Sequence, residues 1–248
     1  MLSRALAGLF ADDADLMTVL GRQLMGSFWE RLVQPQVFFL MLFRFPDFER
    51  AVRNARWRDA LANGQYMLFR REAYDDIGGH VSVKDEVVED MALAMLVKRE
   101  GKQLRLRSAV QDLQTRMYRS LAGLVEGWSK NIVVGGWMTV PPLSRTVVSP
   151  IAFLVGVALW LAPPIVLLTG VTGWLPVSLM AWSAVVYGVS VVIWVRFTHI
   201  MRGPPLYGFL YPLGAIVGSY IFMRAWKRGR HVEWKGRSYT VRAPSETL

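Results

Sequence analysis

The chain has 248 residues, which is enough for one domain and a membrane region but short for two complete domains. Its formal net charge is +10, but most of the excess lies near the C-terminus beside apolar sequence, where basic residues meet lipid headgroups, so a nucleic-acid partner is disfavoured. The chain contains no cysteine, which excludes disulfides and thiolate metal sites.

The N-terminal part predicts a helix over residues 2–10 and a buried strand over residues 15–20. An aromatic, apolar segment follows at residues 27–45, interrupted by charged residues and a proline. It is too polar to cross a membrane and predicts a helix lying at the membrane surface. Such a helix could serve as a plain anchor or line a groove for a lipid, and the pattern favours neither.

Shorter elements alternate along the middle of the chain. Gly78-Gly79 predicts the left-handed end of a short helix. Acids at the start of residues 89–100, basic residues at their end and Gly101 beyond them predict a second helix. The remaining predicted elements are strands at residues 64–69 and 103–107, a helix at 71–77, a loop at 80–87 and a helix at 120–132. Three or four strands of this kind indicate a partial α/β unit.

The C-terminal part contains the long uncharged segments that predict membrane spans. Residues 146–195, a run of 50, contain no Asp, Glu, Lys, Arg or His. One helical span needs about 20 residues, so the run predicts two spans with a turn at residues 170–173. A third uncharged run, residues 203–223, contains prolines and glycines and could be a span, a kinked span or a re-entrant segment. Two spans and a re-entrant segment would keep the basic tail on the cytoplasmic side, so we favour that topology.

These patterns predict an α/β fold plus transmembrane helices. The expected parts are residues 1–145, an α/β domain with interfacial helices; residues 146–223, the transmembrane region; and residues 224–248, a basic juxtamembrane tail. We expect a multi-pass protein of the cell (inner) membrane with residues 1–145 on its cytoplasmic face. A transporter is disfavoured because residues 146–195 carry no ionisable group that would mark a pathway.

Two charged clusters are the strongest candidates for chemistry. Glu89 and Asp90 stand at the start of a predicted helix, where acids often do no more than favour the helix dipole. Arg116 and Arg119 follow the next strand and alone would be interpreted as a solvated or membrane-facing charge pair. Together, however, a carboxylate can take a proton from a hydroxyl, and two guanidiniums can hold a departing phosphate.

Several sequence segments occur in an informative order. They are ANGQYMLFRREAY (62–74), IGGH (77–80), VVED (87–90) and RMYRS (116–120), extended by FWERLVQP (28–35), EGWSKN (126–131) and WKGRSY (234–239). With these segments the sequence resembles membrane-bound family 2 glycosyltransferases, in particular the ceramide glucosyltransferase-like and the carotenoid and hopanoid glycosyltransferase-like groups. The resemblance covers most of the chain.

This resemblance implies a partial GT-A catalytic domain followed by two or three C-terminal membrane helices. It implies an inverting transfer from a nucleotide-sugar donor to a lipid-like hydroxyl acceptor at the membrane. By position, Asp90 matches the general base with Glu89 beside it, and Arg116 and Arg119 match the arginine motif that holds the donor diphosphate.

Two features depart from this pattern or extend it. The family's arginine motif ends in Trp, where this chain has Ser120, so Trp128 is a weak candidate to replace that contact with acceptor or phosphate. His80, after two glycines, is another weak candidate, although a loop histidine after a helix cap is the simpler interpretation.

The resemblance also implies a nucleotide-binding half and a divalent metal, Mg or Mn, held by an Asp-x-Asp motif. Asp13-Ala14-Asp15 fits that expression but precedes a strand, whereas ligands gather beyond the carboxyl ends of strands. We therefore interpret it as a solvated turn, predict no metal ligand in this sequence and expect the donor-binding half to be missing or separate. The alternative function is a non-catalytic membrane remnant or subunit that binds lipid or a partner glycosyltransferase.

Overall fold

A computed structural model describes residues 1–139, 149–171, 173–229, 231–234 and 237–240, together with Ser144 and Val147. The predicted boundary at residues 145 and 146 and the end of the tail, from residue 241, lie outside the described residues, as does Thr172 of the predicted turn. In the described part the helices are α1 Leu2–Ala11, α2 Phe28–Arg44, α3 Phe48–Arg53, α4 Arg71–Asp76, α5 Glu89–Arg99, α6 Leu121–Thr139, α7 Ser149–Gly170, α8 Val177–Ile200 and α9 Tyr211–Arg228.

The strands are short and form small sheets. They are β1 Leu16–Leu20, β2 Arg22–Gln23, β3 Met67–Phe69, β4 Leu104–Ser108, β5 Gln114–Thr115, β6 His231–Trp234 and β7 Arg237–Thr240. Among the described residues, short 3-10 segments also occur at Trp57–Asp59, Gly79–Val83 and Pro205–Gly208. The mixed α/β fold with C-terminal helices agrees with the predicted partial GT-A domain plus membrane helices.

The sheet nearest the candidate site has the order β3-β1-β4. β1 runs antiparallel to β3, with Thr18 opposite Met67, and parallel to β4, with Thr18 opposite Leu106. β1 is central and nearly continuously buried, as expected of a strand covered on both faces. β2 and β5 continue the chain as a parallel pair.

Helix α5 packs beside this sheet and supplies most of the main core. Its side chains from Met91 to Lys98 are all buried, and they form one cluster with residues of β1, β4 and the segment at residues 60–62. The helix ends at Arg99. Gly101, just beyond it, has a φ of +70°, a conformation that glycine adopts without steric cost. The predicted acids, basic residues and terminal glycine are therefore all in place, and α5 is confirmed.

A second core joins α2, α6 and α9. Leu32, Val33 and Val37 of α2 contact Leu124, Val125 and Trp128 of α6 and Ile221 of α9. A capping box starts α2: the Ser27 hydroxyl accepts the Glu30 N–H, and the Glu30 carboxylate accepts the Ser27 N–H. The segment is thus a helix, as predicted, with one face buried against two other helices. Its place at a membrane surface stays a prediction.

Helices α7 and α8 have 22 and 24 residues and are long and apolar enough to cross a membrane. Much of their apolar surface points outward; Leu168, for example, is 76% exposed. The core helix of a soluble protein would bury such side chains, so the exposure is consistent with lipid contact. Among the described helices these two alone meet the length and composition of a span. The third apolar run forms a 3-10 turn followed by α9, which packs on α2, α6 and α7.

Gly208 is the tightest point between the 3-10 turn and α8. A Cβ atom there would lie 2.5 Å from backbone atoms of Val195, which cannot move without distorting the helix. Gly208→Ala should therefore lower the thermal unfolding midpoint in detergent, at a cost of about 1–3 kcal/mol. Gly188 lies in α8, and a Cβ atom there would meet nothing within 4 Å. Gly188→Ala should therefore leave the midpoint unchanged or raise it slightly. Equal midpoints for the two variants would contradict the close packing.

Candidate active site

The candidate site is an open cleft of about 520 Å³. It lies between the turn that precedes β3, helix α4, the 3-10 turn at Gly79–Val83 and the first turn of α5. Both predicted acids and one weak candidate line it. The lining residues are Gly64, Gln65, Tyr66, Met67, Phe69, Tyr74, His80, Glu89 and Asp90.

Asp90 is held firmly at the start of α5. Its Oδ2 accepts the N–H of Gly64 at 2.7 Å, and its Oδ1 accepts the N–H of Met91 at 2.8 Å. Burial raises the pKa of the Asp90 carboxyl, the two N–H donors offset part of this rise, and the negative charge of Glu89 adds to it. Each carboxylate oxygen keeps a lone pair for a further proton. A fixed carboxylate with a raised pKa is well suited to accept a proton from a hydroxyl.

The turn that supports Asp90 is fixed from β1. The buried Thr18 hydroxyl accepts the Asn63 N–H at 2.9 Å and lies 3.1 Å from the Tyr66 carbonyl, to which it donates. The Asn63 side chain donates to the Val19 carbonyl at 2.9 Å. A Cβ atom at Gly64 would lie 3.2 Å from Asp90 Oδ2, a tight contact that would press on the carboxylate. Sequence reasoning missed Thr18, Asn63 and Gly64 as supports; the Asn63-Gly64 pair between strands was the signal that could have found them.

His80 enters the cleft from the 3-10 turn. The Tyr74 hydroxyl lies 2.7 Å from His80 Nδ1 and accepts the His80 backbone N–H at 3.0 Å. The preceding glycines have φ values of +74° at Gly78 and +55° at Gly79, which confirms the predicted left-handed end of α4. The structure therefore brings His80, Glu89 and Asp90 together in one cleft.

The predicted arginine pair lies elsewhere. Arg116 forms a bidentate ion pair with Glu30, with Nε to Oε2 and Nη2 to Oε1 both at 2.8 Å. Glu30 is fully buried and also accepts the Gly26 and Ser27 N–H groups. The Arg116 guanidinium is the main cause that lowers the pKa of Glu30 to about 2. Both arginines are exposed, but Arg116 is engaged with Glu30 of α2. Neither arginine lines the cleft. Their clamp role stays a prediction.

Trp128 is buried, with 6% of its surface exposed. Its ring packs edge-on against Phe38 at 5.8 Å and Tyr118 at 5.7 Å. The ring lies in the interface of α2 and α6 and does not line the cleft. In this arrangement it stabilises helix packing, and its suggested contact with acceptor or phosphate stays a prediction.

The implied metal does not fit the described residues. Among them, no group of three or more acidic or histidine side chains converges as ligands. Asp13 pairs with Arg70 at 2.7 Å, and Asp15 Oδ2 accepts the Gln103 N–H at 2.7 Å. Both acids precede β1 and stabilise the turn that leads into it, in line with the interpretation of this motif as a turn.

Comparison with known proteins identifies the family to which the chain belongs. The sequence model of the family described as "Glycosyl transferase family 21" matches residues 50–246, so the chain belongs to this family. This confirms the predicted likeness to membrane-bound family 2 glycosyltransferases.

Among curated proteins the chain is similar to 4,4'-diaponeurosporenoate glycosyltransferase of Staphylococcus aureus, strains USA300 and NCTC 8325 / PS 47. Each is 26% identical over 188 residues, which cover 73% of this chain and 47% of the relative. The chain thus spans about half the length of the curated relatives it matches. No solved structure matches it.

The ion pair between Glu30 and Arg116 predicts how stability depends on pH. The pKa of Glu30 is lowered from 4.5 to about 2 in the folded chain, so its stabilisation is present above about pH 4.5 and is lost as the pH falls toward 2. Glu30→Gln should reduce the free energy of unfolding at neutral pH by about 2–3 kcal/mol, with a smaller difference from the wild type at low pH.

Acid titration followed by circular dichroism measures this difference. Glu72→Gln, which alters an exposed glutamate of α4, is the control and should follow the wild type throughout. A Glu30→Gln curve parallel to the wild type between pH 4.5 and 2 would show that the ion pair does not form in solution.

Proposed function

We propose that this chain is the acceptor-side part of a membrane glycosyltransferase. It would transfer a sugar from a nucleotide-sugar donor to a lipid-like hydroxyl acceptor, with inversion at the anomeric carbon. The observation that supports this most directly is the position of Asp90: its carboxylate has a raised pKa and is fixed by the Gly64 N–H in an open cleft.

The proposed step is a single displacement. The acceptor hydroxyl attacks the anomeric carbon of the donor sugar, and Asp90 takes the hydroxyl proton while the new C–O bond forms. The bond from the anomeric carbon to the diphosphate oxygen breaks, and its electron pair leaves with the nucleoside diphosphate. Attack from the face opposite the leaving group inverts the anomeric centre. Glu89 is exposed beside Asp90, and its charge helps to raise the pKa of the Asp90 carboxyl.

Charge that develops on the leaving diphosphate needs a cationic partner. We assign this role to Arg119, which is exposed. Arg116 instead fixes the segment that carries Arg119, because releasing it would leave the buried Glu30 carboxylate without its counter-ion. The donor nucleotide and any Mg or Mn ion would be held by the donor-binding half of the complete enzyme.

The two long apolar helices support attachment to a membrane. We propose that α7 and α8 cross the cell (inner) membrane, which makes the protein multi-pass, and that the cleft faces the cytoplasm. The basic residues that follow α9 in sequence would contact lipid headgroups. The staphylococcal relatives are named for 4,4'-diaponeurosporenoate. For this chain we propose an apolar acceptor that reaches the cleft from the bilayer.

Replacement of Asp90 tests the base. Asp90→Asn keeps a side-chain oxygen for the Gly64 N–H but cannot accept a proton, so transfer by the complete enzyme should fall by about 10²–10⁴-fold. The assay is transfer of labelled sugar to lipid in reconstituted vesicles. Asp85→Asn, in the exposed loop before α5, is the matched control and should retain activity. Full transfer by Asp90→Asn would refute the base assignment and favour the non-catalytic alternative.

Replacing Arg119 should affect sugar transfer, whereas replacing Arg116 should affect the stability of the fold. Arg119→Gln should weaken transfer roughly tenfold to a thousandfold without changing thermal stability, since the side chain is exposed. Arg116→Gln should lower stability by about 3–5 kcal/mol because it leaves Glu30 buried without its partner. The measurements are the transfer rate and the unfolding midpoint of both variants, with exposed Arg50→Gln as control. Loss of stability in Arg119→Gln and loss of transfer alone in Arg116→Gln would exchange the two roles.

A further inference from the structure

The Tyr74–His80 pair is the part of the cleft to which the proposed reaction assigns no role. Tyr74 lies on α4 with its ring edge-on to Phe69, at 5.3 Å between ring centroids. Its hydroxyl meets His80 twice, at the ring nitrogen Nδ1 and at the backbone N–H. Both side chains line the same cleft as Asp90.

The backbone is shaped to allow this contact. A Cβ atom at Gly79 would lie 2.6 Å from the Tyr74 ring, and the φ of Gly79 is +55°. Glycine is therefore required twice over, for the left-handed conformation and for the approach of the ring. The preceding Gly78, with φ +74°, turns the chain back so that His80 returns to Tyr74.

The hydrogen-bond partners of the Tyr74 hydroxyl favour one tautomer of neutral His80. The His80 backbone N–H can only donate, so it uses one lone pair of the Tyr74 oxygen. The hydroxyl hydrogen then needs an acceptor, and Nδ1 lies 2.7 Å away. If Nδ1 carried the proton instead, the hydroxyl hydrogen would lose this partner. A neutral imidazole that accepts at Nδ1 carries its proton on Nε2.

We propose that Tyr74 holds His80 in the Nε2–H tautomer, and that this N–H donates a hydrogen bond to a hydroxyl oxygen of the acceptor bound over Asp90. Tyr74 is then a positioning residue, and His80 contacts the ligand. The ligand part of this inference rests on the proposed function, whereas the tautomer does not.

The other groups of the cleft favour a hydroxyl as the partner. Glu89 and Asp90 place two carboxyl groups there, which repel a phosphate but not a neutral polar group. A hydroxyl has one hydrogen to donate and two lone pairs to accept with. Asp90 takes the hydrogen, and the His80 N–H fills a lone pair. Tyr66 and Phe69 offer aromatic surface to the body of the same molecule.

The tautomer is measured on the chain itself in detergent. The sequence has three histidines, so ¹⁵N-histidine labelling gives few imidazole signals, and His80→Gln identifies that of His80. At alkaline pH, where imidazole is uncharged, we expect a protonated Nε2 and a bare Nδ1. Tyr74→Phe should shift the signal toward a mixture of tautomers. A protonated Nδ1 in the wild type, or no change in Tyr74→Phe, would overturn the positioning role.

The contact with the acceptor is measured in the complete enzyme. His80→Ala should raise the KM for the lipid acceptor about tenfold and leave the KM for the nucleotide sugar unchanged. His80→Gln should restore most of the loss, because its amide supplies an N–H donor. His199→Gln, at the exposed end of α8, is the control. A change confined to the nucleotide-sugar KM would assign His80 to the donor and overturn the proposal.

Failure of the inference differs from failure of the function. If Asp90→Asn retains full transfer, the proposed reaction is wrong while the tautomer result still stands. If Asp90→Asn is inactive but His80→Ala behaves as the wild type, the base is right and the acceptor contact is wrong.

Discussion

The arrangement of the cleft depends on the hydrogen bond from the Gly64 N–H to Asp90 Oδ2, which fixes the carboxylate in place. It joins the turn before β3 to the first turn of α5, two segments 26 residues apart in the chain. Behind Gly64, the buried Thr18 hydroxyl on β1 fixes the turn, so the position of the carboxylate is set by the centre of the sheet. A carboxylate supported in this way loses little freedom when a ligand binds.

A second constraint acts on the other side of the molecule. The buried ion pair of Glu30 with Arg116 ties the start of α2 to the segment that follows β5. Because α2 also packs on α6 and α9, this segment is coupled to the helices that lead into the apolar part of the chain. The proposed diphosphate ligand, Arg119, is therefore carried by a segment anchored to the helical core, while the proposed base is carried by the sheet.

Local patterns predicted most of the elements. The period of the apolar residues, the charges at each end of α5 and the glycines at residues 78, 79 and 101 gave helices close to the observed ones, because capping and burial act over a few residues. The role of Glu30 could not be predicted in this way. Its sequence position fits a helix cap, and only the folded chain brings the guanidinium of Arg116 to it across 86 positions.

The sequence alone determined the family likeness, the acidic pair at the start of α5 and the two long apolar helices, since each depends on neighbouring residues or on composition. Tertiary structure decided which of the candidate groups meet. His80, Glu89 and Asp90 line one cleft. Arg116 forms an ion pair with Glu30, and Trp128 is buried between helices. The physical reason is that contacts between distant segments depend on how sheet and helices pack, and packing is a property of the whole core rather than of any one segment.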